Sequence, residues 1–232
     1  MEHWKENSTL ENAALAMRKQ HFGNHFIEHF HQVSLTKQCE LMCVYRDLFP
    51  SSRVLFMYRD IMAAAKSYHR VSMVVPKFPV LFVFEGKTIY FMKPLAEHHG
   101  VDFSAVCRPM HSDNNLLLCV LLVALSIASY LKMRRHGFDV SALRYEDLVA
   151  RPLDMCRVVL EFCHLPVSLA ELAVKAFDVD SHANSASPNS AIGHLKEPQL
   201  TREIKTKLNE ILRKCGVPLI GEPNTIEGTL SC

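Results

Sequence analysis

Neither sign of charge dominates this chain, its glycines never cluster, and its cysteines never pair at metal-ligand spacing. Lys and Arg together number 26 against 24 Asp and Glu, so no strong field is available to hold a nucleic acid. A local basic pocket would still suffice for a small anion. The eight cysteines contain no CxxC pair and no disulfide-framework spacing, and half of them sit inside apolar helical stretches. They read as reduced, buried thiols of an intracellular protein. The first twenty residues carry acids and amides where an export signal needs an unbroken apolar core, so no such signal is expected there. Long apolar runs are scarce as well. Leu116–Leu131 holds 16 residues without a charge, whereas spanning a bilayer takes roughly 20. Ser112, Asp113 and Asn114 offer N-caps before it, and Lys132, Arg134, Arg135 and Gly137 suit a helix C-terminus after it, so a buried core helix is expected.

What is present fits one domain of 232 residues. Residues 9–30 carry Leu10, Ala13, Ala14 and Met17, then Phe22, Phe26 and Phe30, on one helical face. His21, His25 and His29 form a neighbouring stripe whose spacing allows zinc or nickel to bind in pairs, but no HExxH motif or carboxylate set completes a site. A half-exposed histidine stripe is the better reading, and no metal is expected. Gln32–Lys37 reads as a strand, Gln38–Phe49 as a helix, Arg53–Arg59 as a strand and Asp60–Val71 as a helix. That alternation implies parallel pairing and an α/β fold, a parallel sheet flanked by helices. Pro76, Pro79, Pro94 and Pro109 break residues 72–111 into short pieces around Val80–Phe84. Asp139–Tyr145 has the length of another strand, Pro152 opens a helix with a buried stripe of Cys156, Leu160 and Cys163, and Ser168–Phe177 forms a further helix. A Ser/Asn/Pro-rich loop over 178–199 precedes a last amphipathic helix, Leu200–Lys214, with Ile204, Leu208, Ile211 and Leu212 inward and a stop before Gly216.

The stretch from Leu48 to Tyr68, LFPSSRVLFMYRDIMAAAKSY, organises the rest. Its apolar run ends at Arg59-Asp60 and Ala-rich sequence of high helix propensity follows at once. A strand feeding a helix puts Arg59 at a sheet's carboxyl edge, beside a helix N-terminus where anionic ligands bind. Its guanidinium fork suits a phosphate. The alternative is an ion pair with Asp47 or Asp60. Ser67, eight residues on, supplies a hydroxyl on the following helix.

FPSSRVLFMYRD followed by that serine resembles the 3′-phosphate-binding segment of the sulfotransferases, which transfer a sulfuryl group from 3′-phosphoadenosine 5′-phosphosulfate (PAPS). Three further stretches fall in the family's order: Leu143-Arg144-Tyr145-Glu146-Asp147-Leu148 with Pro152 behind it, Asp180-Ser181-His182-Ala183-Asn184-Ser185, and Gly228-Thr229-Leu230. The resemblance covers roughly residues 32–230. It implies a partial P-loop-like sulfotransferase fold and transfer from PAPS, without a metal, to a hydroxyl or amine acceptor. Arg59 and Ser67 then hold the 3′-phosphate and Tyr145 lines the adenine, although core packing with the hydroxyl at the rim accounts for Tyr145 equally well. Glu146 and Asp147 brace the loop and cap the next helix.

Two departures matter. The family's cytosolic branch ends a strand in Lys-Thr-His, and the nearest match here is Leu35-Thr36-Lys37, which keeps a cation in Lys37 and lacks the imidazole. The Gly/Ser/Thr-rich loop that cradles the 5′-phosphosulfate has no counterpart, since none of the eight glycines cluster. The chain therefore reads as truncated at its N-terminal side, or as a divergent module that binds a 3′-phosphorylated adenosine nucleotide or a protein partner without transfer. A missing central strand would leave apolar sheet edge exposed and favour a homodimer. The expected compartment is the cytoplasm, or the Golgi if a further segment precedes Met1.

Overall fold

Two short parallel strands and the long apolar helix that precedes the second set the architecture. The structure, a computed structural model, describes residues 53–74, 87–106, 112–178 and 198–232, all within the unit Arg53–Cys232. β1 (Val54–Tyr58) leads into α1 (Ile61–Val74), followed by α2 (Lys87–His98), α3 (Phe103–Val106) and α4 (Ser112–Arg135). β2 (Val140–Arg144) is followed by α5 (Tyr145–Ala150), α6 (Pro152–Phe162), α7 (Ala170–Val174) and α8 (Arg202–Cys215). The result is an α/β arrangement, mostly helical, with a small parallel sheet.

The strands pair in register from Val54 opposite Val140 to Tyr58 opposite Arg144, so both reach their carboxyl ends together. The far edge of β2 takes the C-terminal segment. Ala142 N–H donates to Gly228 O at 2.9 Å, Leu230 N–H donates to Ala142 O at 2.8 Å, and Ala142 and Thr229 form a single parallel bridge. The Tyr58 and Thr229 hydroxyls, 2.9 Å apart, tie β1 to the same segment across β2.

The core is α4. Leu116, Val120, Leu121, Ala124, Leu125, Ile127, Ala128 and Tyr130 are all buried, each large side chain contributing roughly 2 kcal/mol of apolar transfer. Asn115–Arg135 is long and apolar enough to cross a membrane, but 78% of its apolar window is buried inside the fold, against α1, α8 and β2 among others. The Phe56 ring of β1 stacks on Tyr130 at 4.9 Å. Both long helices end as their sequences predict, in the left-handed glycine motif: Gly137 at φ 76° after α4 and Gly216 at φ 68° after α8. Phe138 N–H then reaches back to Met133 O, and Val217 N–H to Leu212 O, satisfying carbonyls that the helix leaves open. Thr201 caps the other end of α8 through Ile204 N–H at 3.2 Å, and Ile204, Leu208, Ile211 and Leu212 are buried as expected.

Three expectations need correction. Residues 87–98 form one helix with Pro94 inside it rather than short pieces; a proline forfeits one helical N–H and need not end the helix. Residues 167–178 are two 3-10 turns, Val167–Leu169 and Lys175–Asp178, around the short α7. In α6, with Pro152 at its start as predicted, the buried residues are Met155 and Cys156, while Cys163 is exposed because the helix ends at Phe162. The expected helices over 9–30 and 38–49, the strand over 32–37, the run Val80–Phe84 and the stretch Asp180–Ser185 lie outside the described residues.

Candidate functional site

The corner after β1 is built by Asp60. Its Oδ1 accepts from Ala63 N–H at 2.8 Å and its carbonyl from Ala64 N–H at 2.8 Å, which caps α1 and turns the chain sharply out of the strand. Arg59 is left on the corner, two residues before the positive end of the α1 dipole. The strand register brings the second corner beside it. With Arg144 opposite Tyr58, the residues that open α5, Tyr145 and Glu146, fall against Arg59 and Asp60.

The Arg59 guanidinium carbon lies 5.1 Å from the centroid of the Tyr145 ring, within cation–π range. Arg59 Nε lies 3.8 Å from Glu146 Oε1, an oxygen that also accepts from Asp60 N–H at 2.9 Å. Glu146 Oε2 faces Arg144 Nε at 3.5 Å, and Arg144 Nη1 faces Asp147 Oδ1 at 3.8 Å. The Arg59 side chain is 43% exposed and that of Glu146 32%, so their ion pair is worth ~1 kcal/mol at most. Among the described residues, the two Nη groups of Arg59 have no partner. A weakly held guanidinium with its outer fork uncommitted, seated on an aromatic ring, is chemically an anion acceptor.

Of the predicted site residues, the fold brings Arg59 and Tyr145 together. Ser67 sits half-buried two turns into α1, and no hydrogen bond among the described residues joins it to Arg59. Lys37, Asp47 and the stripe His21, His25 and His29 lie outside the described residues. Among the described residues no group of three His, Cys, Asp or Glu is placed to hold a metal ion. Glu146 and Asp147 occupy the first turn of α5, where their charge meets the positive end of its dipole. Arg59 thus pairs with Glu146 and not with Asp60, whose carboxylate is spent on the helix cap.

The residue that sequence reasoning missed is Arg144. Its signal was the likeness of the two strand ends: each closes on an arginine followed within two residues by an acid, and parallel strands of equal length bring such ends together. No family model, no curated protein and no solved structure matches the chain.

Proposed function

We propose that this protein is sulfotransferase-like, a partial P-loop-like sulfotransferase fold whose Arg59–Tyr145 corner receives the 3′-phosphoadenosine end of PAPS. The observation that carries the reading is the Arg59 fork, uncommitted among the described residues, resting on Tyr145 at the shared carboxyl end of two parallel strands. Arg59 would hold the 3′-phosphate, with the Ser67 hydroxyl as its helper, and Tyr145 would face the adenine. PAPS supplies the sulfuryl group when bound, for a hydroxyl or amine acceptor. Lys37 is the proposed cation on the transfer side.

A second reading keeps the nucleotide and drops the transfer. It is favoured by the makeup of the corner itself, which among the described residues offers a phosphate acceptor and an aromatic face and no imidazole or Gly-rich cradle. The homodimer belongs to both readings: among the described residues β1 pairs only with β2, and Met57 on β1 is 50% exposed. Calorimetric titration of 3′-phosphoadenosine 5′-phosphate into wild type and Arg59→Ala tests the shared core, with binding to wild type alone expected. Absence of binding to wild type removes both readings. Turnover of labelled PAPS with a mixed set of hydroxyl and amine acceptors separates them, and sedimentation of the same samples reads the dimer.

A further inference from the structure

Glu146 is shared between two guanidiniums, and its two partners differ. Toward Arg59 the contact is half-exposed and lies at 3.8 Å. Toward Arg144 it is shorter, 3.5 Å, and both atoms there, Glu146 Oε2 and Arg144 Nε, are buried without a hydrogen bond. A buried charged acceptor and a buried charged donor left this close gain from a small closing movement. An anion arriving at Arg59 would repel the Glu146 carboxylate toward that waiting donor.

We propose that Arg144 is a positioning residue for the anion site, setting the affinity of Arg59 by drawing Glu146 away from it. This rests on the nucleotide reading above. Among the described residues, the charges at the corner are Arg59 and Asp60 on the β1 side and Arg144, Glu146 and Asp147 on the β2 side. Asp60 is occupied by the α1 cap and Asp147 faces Arg144, so among the described residues Glu146 is the carboxylate that competes with a phosphate for Arg59. With Arg144 present, the competitor has a second partner and yields. Without it, Glu146 settles on Arg59 alone and the incoming anion must displace it.

The test is a double-mutant cycle on binding. 3′-Phosphoadenosine 5′-phosphate is titrated calorimetrically, at one ionic strength, into wild type, Arg144→Gln, Glu146→Gln and the double variant. Glutamine at 146 keeps a carbonyl oxygen for Asp60 N–H and turns the charged oxygen that faces Arg144 into a neutral amide NH2, which cannot accept from it. Arg144→Gln is expected to weaken binding about tenfold, and the double variant to bind as Glu146→Gln does alone, because a residue acting through Glu146 has nothing to act through once that charge is gone. Equal factors for Arg144→Gln in the presence and absence of the Glu146 charge would overturn the proposal, since they mark a direct or purely structural effect. No binding to wild type would instead remove the nucleotide reading beneath it. Should Arg144→Gln fail to fold by circular dichroism, Arg144→Lys takes its place in the cycle, and an effect on affinity that survives Glu146→Gln overturns the proposal there as well.

Discussion

Among the described residues, a tyrosine, an arginine and a glutamate meet at two places, once over the buried Tyr130 and once at the edge where the two strands end, and the two trios behave in opposite ways. At the first, Tyr130 donates its hydroxyl to the Glu227 carbonyl at 2.9 Å, Arg134 Nη1 donates to Val140 O at 2.6 Å, and Arg134 Nε lies 3.5 Å from Oε1 of the exposed Glu227 side chain. Burial pushes the Tyr130 hydroxyl above its usual range, so it stays a donor. Gly228 crosses this trio at φ 78°, so closely that a Cβ would lie 2.5 Å from Arg134 Cζ. At the edge, Tyr145 is 39% exposed, Arg59 touches Glu146 only through Nε, and its fork is free among the described residues. Residue types alone do not separate a clamp from a site. What separates them is whether the polar atoms are already committed to backbone.

The comparison breaks most visibly at Gly228. Gly228→Ala forces a positive-φ side chain into Arg134 and the Tyr130 hydroxyl, and should cost about 3 kcal/mol in urea denaturation. An unchanged midpoint would mean that the clamp yields easily. Tyr130→Phe should cost about 1 to 2 kcal/mol by leaving a carbonyl without its donor, whereas Tyr145→Phe at the edge should stay within about 0.5 kcal/mol of wild type; equal losses would erase the distinction. Away from that corner, where Arg53 at the start of β1 donates to Phe162 O at the end of α6, His164 holds φ 56° as the residue after the α6 cap, a conformation that suits glycine. His164→Gly should therefore stabilise by roughly 0.5 to 1 kcal/mol, read as a rise in melting temperature.

A separate effect is a slope with pH. Burial pushes the Cys119 thiol on α4 from 9.0 up to about 12. The folded state binds that proton more tightly than the unfolded state, so its contribution is complete below pH 9 and is lost as pH climbs from there toward 12. Stability measured by denaturation should fall over that window, and Cys119→Ala should flatten the fall. A decline equally steep in the variant would place its source elsewhere.

How far the sequence carried the fold depended on whether local pattern and tertiary context agreed. β1, β2, α4 and α8 were legible because apolar runs of the right length end at Arg-Asp, at Tyr-Glu-Asp and at glycines that only a left-handed cap needs. The helix over Lys87–His98 was hidden by Pro94, whose local signal reads as a break although the surrounding residues continue as helix. Cys163 misled because helical spacing continues one residue past the end of α6. At the site, Arg59 and Tyr145 were legible one by one. The bridge from Glu146 to Arg59 was not, because it follows from strand register across a long sequence separation, and register is a property of the paired sheet.

The central claim is that Arg59 is available for a ligand while the fold does not depend on it. Thermal melting of wild type and Arg59→Ala, each with and without 3′-phosphoadenosine 5′-phosphate, tests both halves together. The two proteins should melt alike without the nucleotide, and wild type alone should be raised by it, by an amount equivalent to about 2.7 kcal/mol at a hundredfold excess over Kd. A lowered melting temperature for Arg59→Ala alone, or an equal rise in both proteins, would contradict the claim.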